Sequence, residues 1–197
     1  MQSQQTAPDP YRNTPKIASV SRKPPVVCIA GFSGAGKTTV TVGLVAEFTC
    51  RGLRVATIKH DVHGFEMDQP GKDSWRHKRA GAAATIVTSP TKVGIVMDAD
   101  HDHHPLELLP MLSGMDLVLV EGFKRAQLPK IEVFRPERNK PPACRNDPNL
   151  MAVVCDSPLG WNVPRFGSDN VEGLSEFIAR QFDLFAALKN PCRQAAC

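Results

Sequence analysis

The sequence predicts a three-layer α/β domain built on a mostly parallel sheet with one antiparallel hairpin. Three observations predict it. Short apolar runs of strand length alternate with stretches of helical spacing, the pattern of β–α–β units. The first run, Val26-Val27-Cys28-Ile29-Ala30, leads into Gly31-Phe32-Ser33-Gly34-Ala35-Gly36-Lys37-Thr38, and a helical pattern follows at once. A later pair of runs, 84–88 and 93–97, is joined by only Ser89-Pro90-Thr91-Lys92, a link that favours a hairpin.

Taken in order, residues 1–25 are polar and rich in proline and are expected to form a disordered leader. The first strand covers Val26 to Ala30. A helix is expected from Lys37 to Arg51, with Val40, Leu44, Val45 and Phe48 on its buried face and Gly52 as its stop. Leu53 to Lys59 reads as a second strand, and the polar segment from His60 to Gly71 as a functional loop. Asp73 or Ser74 can cap a helix that reaches Arg79 and ends at Gly81. After the hairpin, a short helix is expected over Leu106 to Leu112, opened near Pro105. Leu117 to Val120 is continuously apolar, as a central parallel strand requires. Lys130 to Phe134 alternates charged and apolar residues, which points to a strand nearer an edge. Arg135 to Asn149 is a proline-interrupted loop, Leu150 to Cys155 a buried strand and Val163 to Phe166 a last short one. Asn170 caps a final helix over Val171 to Leu188, and a polar tail fills 189–197. The phosphate-loop domain is thus expected over 26–188.

Composition narrows the function classes. The chain has 197 residues, 42% of them hydrophobic, enough for one domain with a sizeable core. No apolar run approaches the ~20 residues of a membrane span, so no membrane association is expected. The formal charge of +4 suits an anionic ligand. It is too small and too dispersed for a nucleic-acid surface, and no basic patch is interleaved with aromatic residues. The six cysteines form no C-x-x-C pair. Cys28 and Cys155 sit in apolar runs as small buried hydrophobes, and free thiols point to the cytoplasm.

The stretch from Gly31 to Thr38 fits G-x-x-x-x-G-K-[ST], the phosphate-binding loop of P-loop NTPases. Glycines at 31, 34 and 36 let successive N–H groups of the loop, including those of Ser33 and Ala35, face one anion. The helix start adds its own free N–H groups and dipole. Lys37 can reach β- and γ-phosphates, the Thr38 hydroxyl can ligate Mg²⁺, and Thr39 is a further candidate phosphate contact.

Such a loop needs a second acid at the C-terminal end of a neighbouring strand. Asp116 and Glu121 flank one strand and lie roughly 17 Å apart at ~3.3 Å per residue. If that strand runs parallel to the first, Glu121 is at the phosphate edge, and it is chosen for the metal shell. Asp61, just past the second strand, is chosen to join the metal shell or to orient the attacking water. His60 and His63 read as loop or substrate contacts. Lys59, Lys72, Arg76, Arg79, Lys124 and Arg125 are candidates for an electropositive wall. Asp156, after the strand at 150–155, stands where a carboxylate can read guanine, although no Asn-Lys-x-Asp motif occurs (Asn139-Lys140-Pro141-Pro142). The run Asp102, His101, His103 and His104 has the composition of a metal tract, with a solvated loop as the plainer reading. Cys192 and Cys197 carry the same two readings.

Beyond the loop, the chain carries Thr57-Ile58-Lys59-His60, Pro70-Gly71-Lys72-Asp73-Ser74, Arg79-Ala80-Gly81-Ala82, Val120-Glu121-Gly122-Phe123-Lys124 and Pro129-Lys130-Ile131-Glu132-Val133. In order and spacing this resembles the molybdopterin-guanine dinucleotide biosynthesis adaptor family, MobB, over about 26–156. The resemblance implies a cytoplasmic GTP-binding homodimer with weak GTPase activity. It implies assistance to a MobA-type molybdenum cofactor guanylyltransferase, which joins GMP to molybdopterin. Guanine preference comes from the resemblance alone. Phe32 stands where P-loop dimers with an intersubunit lysine would carry that lysine. Other readings of the residues are an ATP-dependent small-molecule kinase with Asp61 as base, a metal-inserting GTPase using His101 to His104 with Cys192 and Cys197, and a binding scaffold whose turnover is incidental.

Overall fold

The computed structural model describes residues 23–184. The expected leader therefore falls outside the described residues except for its last three, as do the polar tail and Cys192 and Cys197. Six strands form one sheet: β1 (Val26–Ala30), β2 (Val55–Lys59), β5 (Leu117–Glu121), β6 (Lys130–Val133), β7 (Leu150–Val154) and β8 (Arg165–Phe166). Their order is β2-β5-β1-β6-β7-β8, and every pairing is parallel. The hairpin is a separate two-stranded sheet, β3 (Ala84–Thr88) with β4 (Val93–Met97), antiparallel as expected.

Strands covered on both faces favour apolar residues throughout, as in β1 and in Leu117–Val120 of β5. Alternate residues feed two cores. On one side Val27, Ile29, Leu117, Leu119, Ile131 and Val133 pack against the helices. These are α1 (Lys37–Cys50), through Val40, Leu44 and Phe48, and α3 (Val171–Gln181), through Leu174 and Ile178. Val45, expected on the buried face of α1, is only half-buried; Thr41 takes the fourth buried place. The Asn170 side chain accepts from the Gly173 N–H at 3.0 Å and caps α3 as expected. Its helix ends at Gln181, and residues 185–188 of the expected span lie outside the described residues.

The opposite face of the sheet, Cys28, Ala30, Val118 and Val120 among others, is covered differently. Leu109, Leu128, Cys144 and Trp161 reach it from loops and 3-10 turns. The single helix expected over 106–112 is two 3-10 turns, Pro105–Glu107 and Leu109–Leu112. Pro110 explains the break, since it removes an N–H and clashes with the preceding turn. Between β2 and β3 lies α2 (Asp73–Arg79), which packs on β3. Neither Asp73 nor Ser74 caps it: the cap position is Lys72, and the Ser74 hydroxyl donates to Asp68 instead.

β6 is the main departure from expectation. It is central, between β1 and β7, and both of its charged side chains are buried, Lys130 at 0% and Glu132 at 1% exposure. The alternation that suggests an edge has another cause: these side chains tie down the loops of the second face. Lys130 Nζ donates to the carbonyls of Lys124 (3.1 Å) and Ala126 (2.8 Å) and to the Asp147 carboxylate. Glu132 accepts from the Ala143 and Cys144 N–H groups, although burial pushes its carboxyl above the usual range. Burial likewise pushes the Cys28 thiol up to about 12, so it stays protonated and donates to the Gly122 carbonyl.

Removing one member of a buried pair strands the other. Lys130→Met is expected to cost about 3–5 kcal/mol, read as a lower urea midpoint. A loss below about 1 kcal/mol would rank it with surface pairs instead. Burial opposes ionisation of Asp147, but the bonds from Lys130 and Asn149 outweigh it and hold the carboxyl below its ordinary 3.8. This contribution is therefore complete above that value and drains away as the pH falls beneath it.

Candidate functional site

The parallel register fixes the site. Glu121 stands opposite Ile29 of β1 and Lys59 of β2, so the three strands end together at one edge of the sheet. From that edge the chain turns through Gly31, Gly34 and Gly36, all at positive φ (135°, 78° and 96°), into the first turn of α1. Gly31 is required twice over. Its φ is unfavourable for side-chain-bearing residues, and a Cβ there would lie 2.4 Å from the Val133 carbonyl oxygen. The loop is thus seated on the end of β6.

The Thr38 hydroxyl donates to Glu121 Oε1 at 2.7 Å, which puts two oxygen atoms side by side at the start of α1. Asp116 lies at the other end of β5 and accepts from the Arg54 N–H, a structural task. Lys37 Nζ donates to the loop's own Phe32 carbonyl at 3.0 Å. Burial pushes its ammonium below the usual lysine range, Glu121 opposes this, and Lys124 and Lys59 add to it. Cations held together without enough negative charge make a site for an anion.

An open cleft of about 1150 Å³ faces this edge. The loop residues Gly31, Ser33, Gly34, Gly36, Lys37 and Thr38 line it with Asp61 and Glu121. Ala35 and Thr39 do not: Ala35 is packed in the core and its N–H goes to the Phe32 carbonyl, while Thr39 is exposed on α1. Asp61 accepts from the His63 N–H at 3.0 Å, a local turn that holds its carboxylate at the cleft. His60 and His63 line the cleft too. The His60 ring stacks on Phe123 with centroids 4.4 Å apart and pairs with Asp102 at 3.0 Å.

The proposed wall divides. Lys59, Lys124 and Arg125 line the cleft. Lys72, Arg76 and Arg79 belong to the α2 region instead, where Arg76 pairs with Asp73 and Arg79 lies over the Trp75 ring. Cations that sequence reasoning passes over take their place. Lys140 shares the Phe32 ring with Lys124, at 5.6 and 4.3 Å from its centroid. Arg138 and Arg135 reach the loop from beyond β6, at 3.3 Å from the Cβ position of Gly34 and 3.7 Å from that of Gly36. Nothing in their sequence neighbourhood signals this, because the segment is an irregular loop whose path only the fold reveals.

Asp156 sits at the end of β7, two strands from β1. Its carboxylate accepts the Ser168 N–H (2.7 Å) and hydroxyl (3.0 Å) and pairs with Arg135 at 2.7 Å. Those partners hold the carboxyl below its usual range. It does not line the cleft.

Comparison with known proteins places this arrangement. A family model described as molybdopterin guanine dinucleotide synthesis protein B matches residues 26–156. The molybdopterin-guanine dinucleotide biosynthesis adapter protein of Escherichia coli (strain K12) is 37% identical over 159 residues, 78% of this chain and 91% of that protein. Its Haemophilus influenzae counterpart is 33% identical over 168 residues, 83% and 92% of the two chains. Among solved structures, molybdopterin-guanine biosynthesis protein B (mobB) aligns with a TM-score of 0.63 at 30% identity, covering 79% of this chain and 99% of that one. Bacillus subtilis MobB gives 0.65 at 25% identity, covering 80% and 98%.

The fit of Gly31 against β6 yields a direct check. Gly31→Ala combines an unfavourable φ with a clash against backbone, and is expected to destabilise the fold by about 2–4 kcal/mol. Thermal denaturation measures this, and an unchanged midpoint would show that the loop is not seated on Val133.

Proposed function

Because this chain belongs to the molybdopterin guanine dinucleotide synthesis protein B family, we propose that it is a GTP-binding adaptor in molybdenum cofactor biosynthesis. In this reading it serves the conversion of molybdopterin to its guanine dinucleotide, beside a MobA-type guanylyltransferase in the cytoplasm, and hydrolyses GTP slowly. The adaptor role follows from the family and from its relatives' names. The single observation that supports the nucleotide is the Thr38–Glu121 hydrogen bond at the end of a glycine loop ringed with cations.

Two adjacent oxygen donors suit a hard cation, so Thr38 and Glu121, with Asp61 nearby, fit Mg²⁺. When bound, the ion would neutralise charge on the β- and γ-phosphates. The chain's own residues do the rest. Loop N–H groups and Lys37 hold the phosphates, Lys37 exchanging its bond to Phe32 for one to phosphate. Asp61 orients the attacking water from the end of β2. Arg138 and Arg135 add positive charge beside the loop, with Asp156 holding Arg135 in place rather than reading the base. Guanine preference rests on the family.

We also assign the homodimer of this reading to the hairpin. Ile86, Val93, Ile95 and Met97 lie on one face of β3–β4 and are exposed by 62, 66, 39 and 54%. Two strands are marginal alone, and a second copy would cover this face.

Calorimetry with GTP and Mg²⁺ is expected to show binding that Lys37→Ala abolishes and that ATP matches only weakly. Glu121→Gln should weaken the Mg²⁺-dependent part about tenfold or more while leaving metal-free nucleotide binding intact. No heat with either triphosphate ends the nucleotide reading; ATP binding with a phosphorylated product would favour a kinase. Replacing Ile86 and Ile95 together by Asp is expected to give a monomer in sedimentation equilibrium, and a persisting dimer would place the interface elsewhere.

A further inference from the structure

Three of the six histidines, His101, His103 and His104, lie in the short segment between β4 and the first 3-10 turn, and the phosphate cradle does not use the first two. Asp102, between His101 and His103, reaches the other way and pairs with His60 at the cleft. Left on the far side, the two rings converge. His101 Nδ1 lies 2.6 Å from Asp100 Oδ1, and its Nε2 lies 2.9 Å from Glu107 Oε2. His103 Nδ1 is 3.1 Å from that same Glu107 oxygen, and its Nε2 is 3.9 Å from Asp100 Oδ1. The ring centroids are 3.9 Å apart. One donor atom each from Asp100, His101 and His103 fall within 4.8 Å of one another.

We propose that Asp100, His101 and His103 bind one divalent transition-metal ion of the Zn²⁺ class at the rim of the cleft, through Asp100 Oδ1, His101 Nδ1 and His103 Nε2. Two imidazole nitrogens and one carboxylate oxygen are a three-donor set for a borderline ion, with the fourth tetrahedral position left to water or another ligand. Mg²⁺ and Ca²⁺ prefer oxygen alone, so this site is distinct in kind from the one at Thr38 and Glu121. The alternative, an ionic cluster of histidine and acid, accounts poorly for the convergence. Exposed ion pairs contribute little, and ordering four side chains costs conformational entropy. A shared metal offsets that cost. Glu107 would orient the ligands from behind: it meets the outer nitrogens of both rings, His101 Nε2 and His103 Nδ1, and also accepts the His104 N–H at 3.2 Å, as part of the capping box that opens the Pro105–Glu107 turn.

The site stands apart from the nucleotide, so its test contains none. The full chain is titrated with Zn²⁺ alone by calorimetry, beside His101→Gln/His103→Gln and the single His103→Gln. One equivalent should bind, and the double replacement should weaken it about a hundredfold or more. Both variants change loop residues outside the core, His101 exposed and His103 half-buried, and unchanged melting temperatures would confirm that they fold. Co²⁺ gives a second readout. The expected visible bands are those of a tetrahedral nitrogen–oxygen site, lost in the double variant and without the near-ultraviolet absorption of a thiolate ligand. No saturable binding, equal affinity in the double variant, or a thiolate band would each overturn the assignment.

Discussion

The architecture depends on one register: β5 inserted between β1 and β2 with Glu121 level with Ile29 and Lys59. Parallel pairing makes every strand of the main sheet end at the same edge. A side chain that is 83 residues from Thr38 in sequence therefore meets its hydroxyl at 2.7 Å. A slip of one residue would turn Glu121 to the other face of the sheet, away from the Thr38 hydroxyl. The pairing of buried strands thus sets the placement of a carboxylate. The site needs little further help from its own residues.

Most elements were legible because their signals are local. Continuous apolar runs mark β1, β5 and β7, glycines stop α1 and α2, and Asn170 caps α3. Legibility failed where a residue's role is set by distant partners. Lys130 and Glu132 look like the solvent side of an edge strand, because sequence cannot show that loops at 124–126 and 143–147 will enclose them. The helix expected at 106–112 failed for a local reason, Pro110 inside it, that apolar spacing alone concealed.

The candidate site divides along the same line. Lys37, Thr38, Glu121 and Asp61 are adjacent to strand ends, and strand direction suffices to group them. Arg135, Arg138 and Lys140 come from a loop with no periodicity, so their approach to Phe32, Gly34 and Gly36 is a property of the tertiary path. Asp156 shows the limit of positional reasoning: it occupies the end of a strand, as expected, yet its oxygens are engaged by Ser168 and Arg135.

The unequal covering of the sheet sets the mechanical character of the cleft. The glycine loop is continuous with β1 and α1 and is backed by helices on a well-packed face. Lys124, Arg125 and Lys140 are mounted on segments that lie over the other face, anchored below by buried charges and capped by loops. The two jaws are therefore held by different means, the glycine loop by apolar helix packing and the charged wall by the grip of buried Lys130 and Glu132 on the loops that carry it.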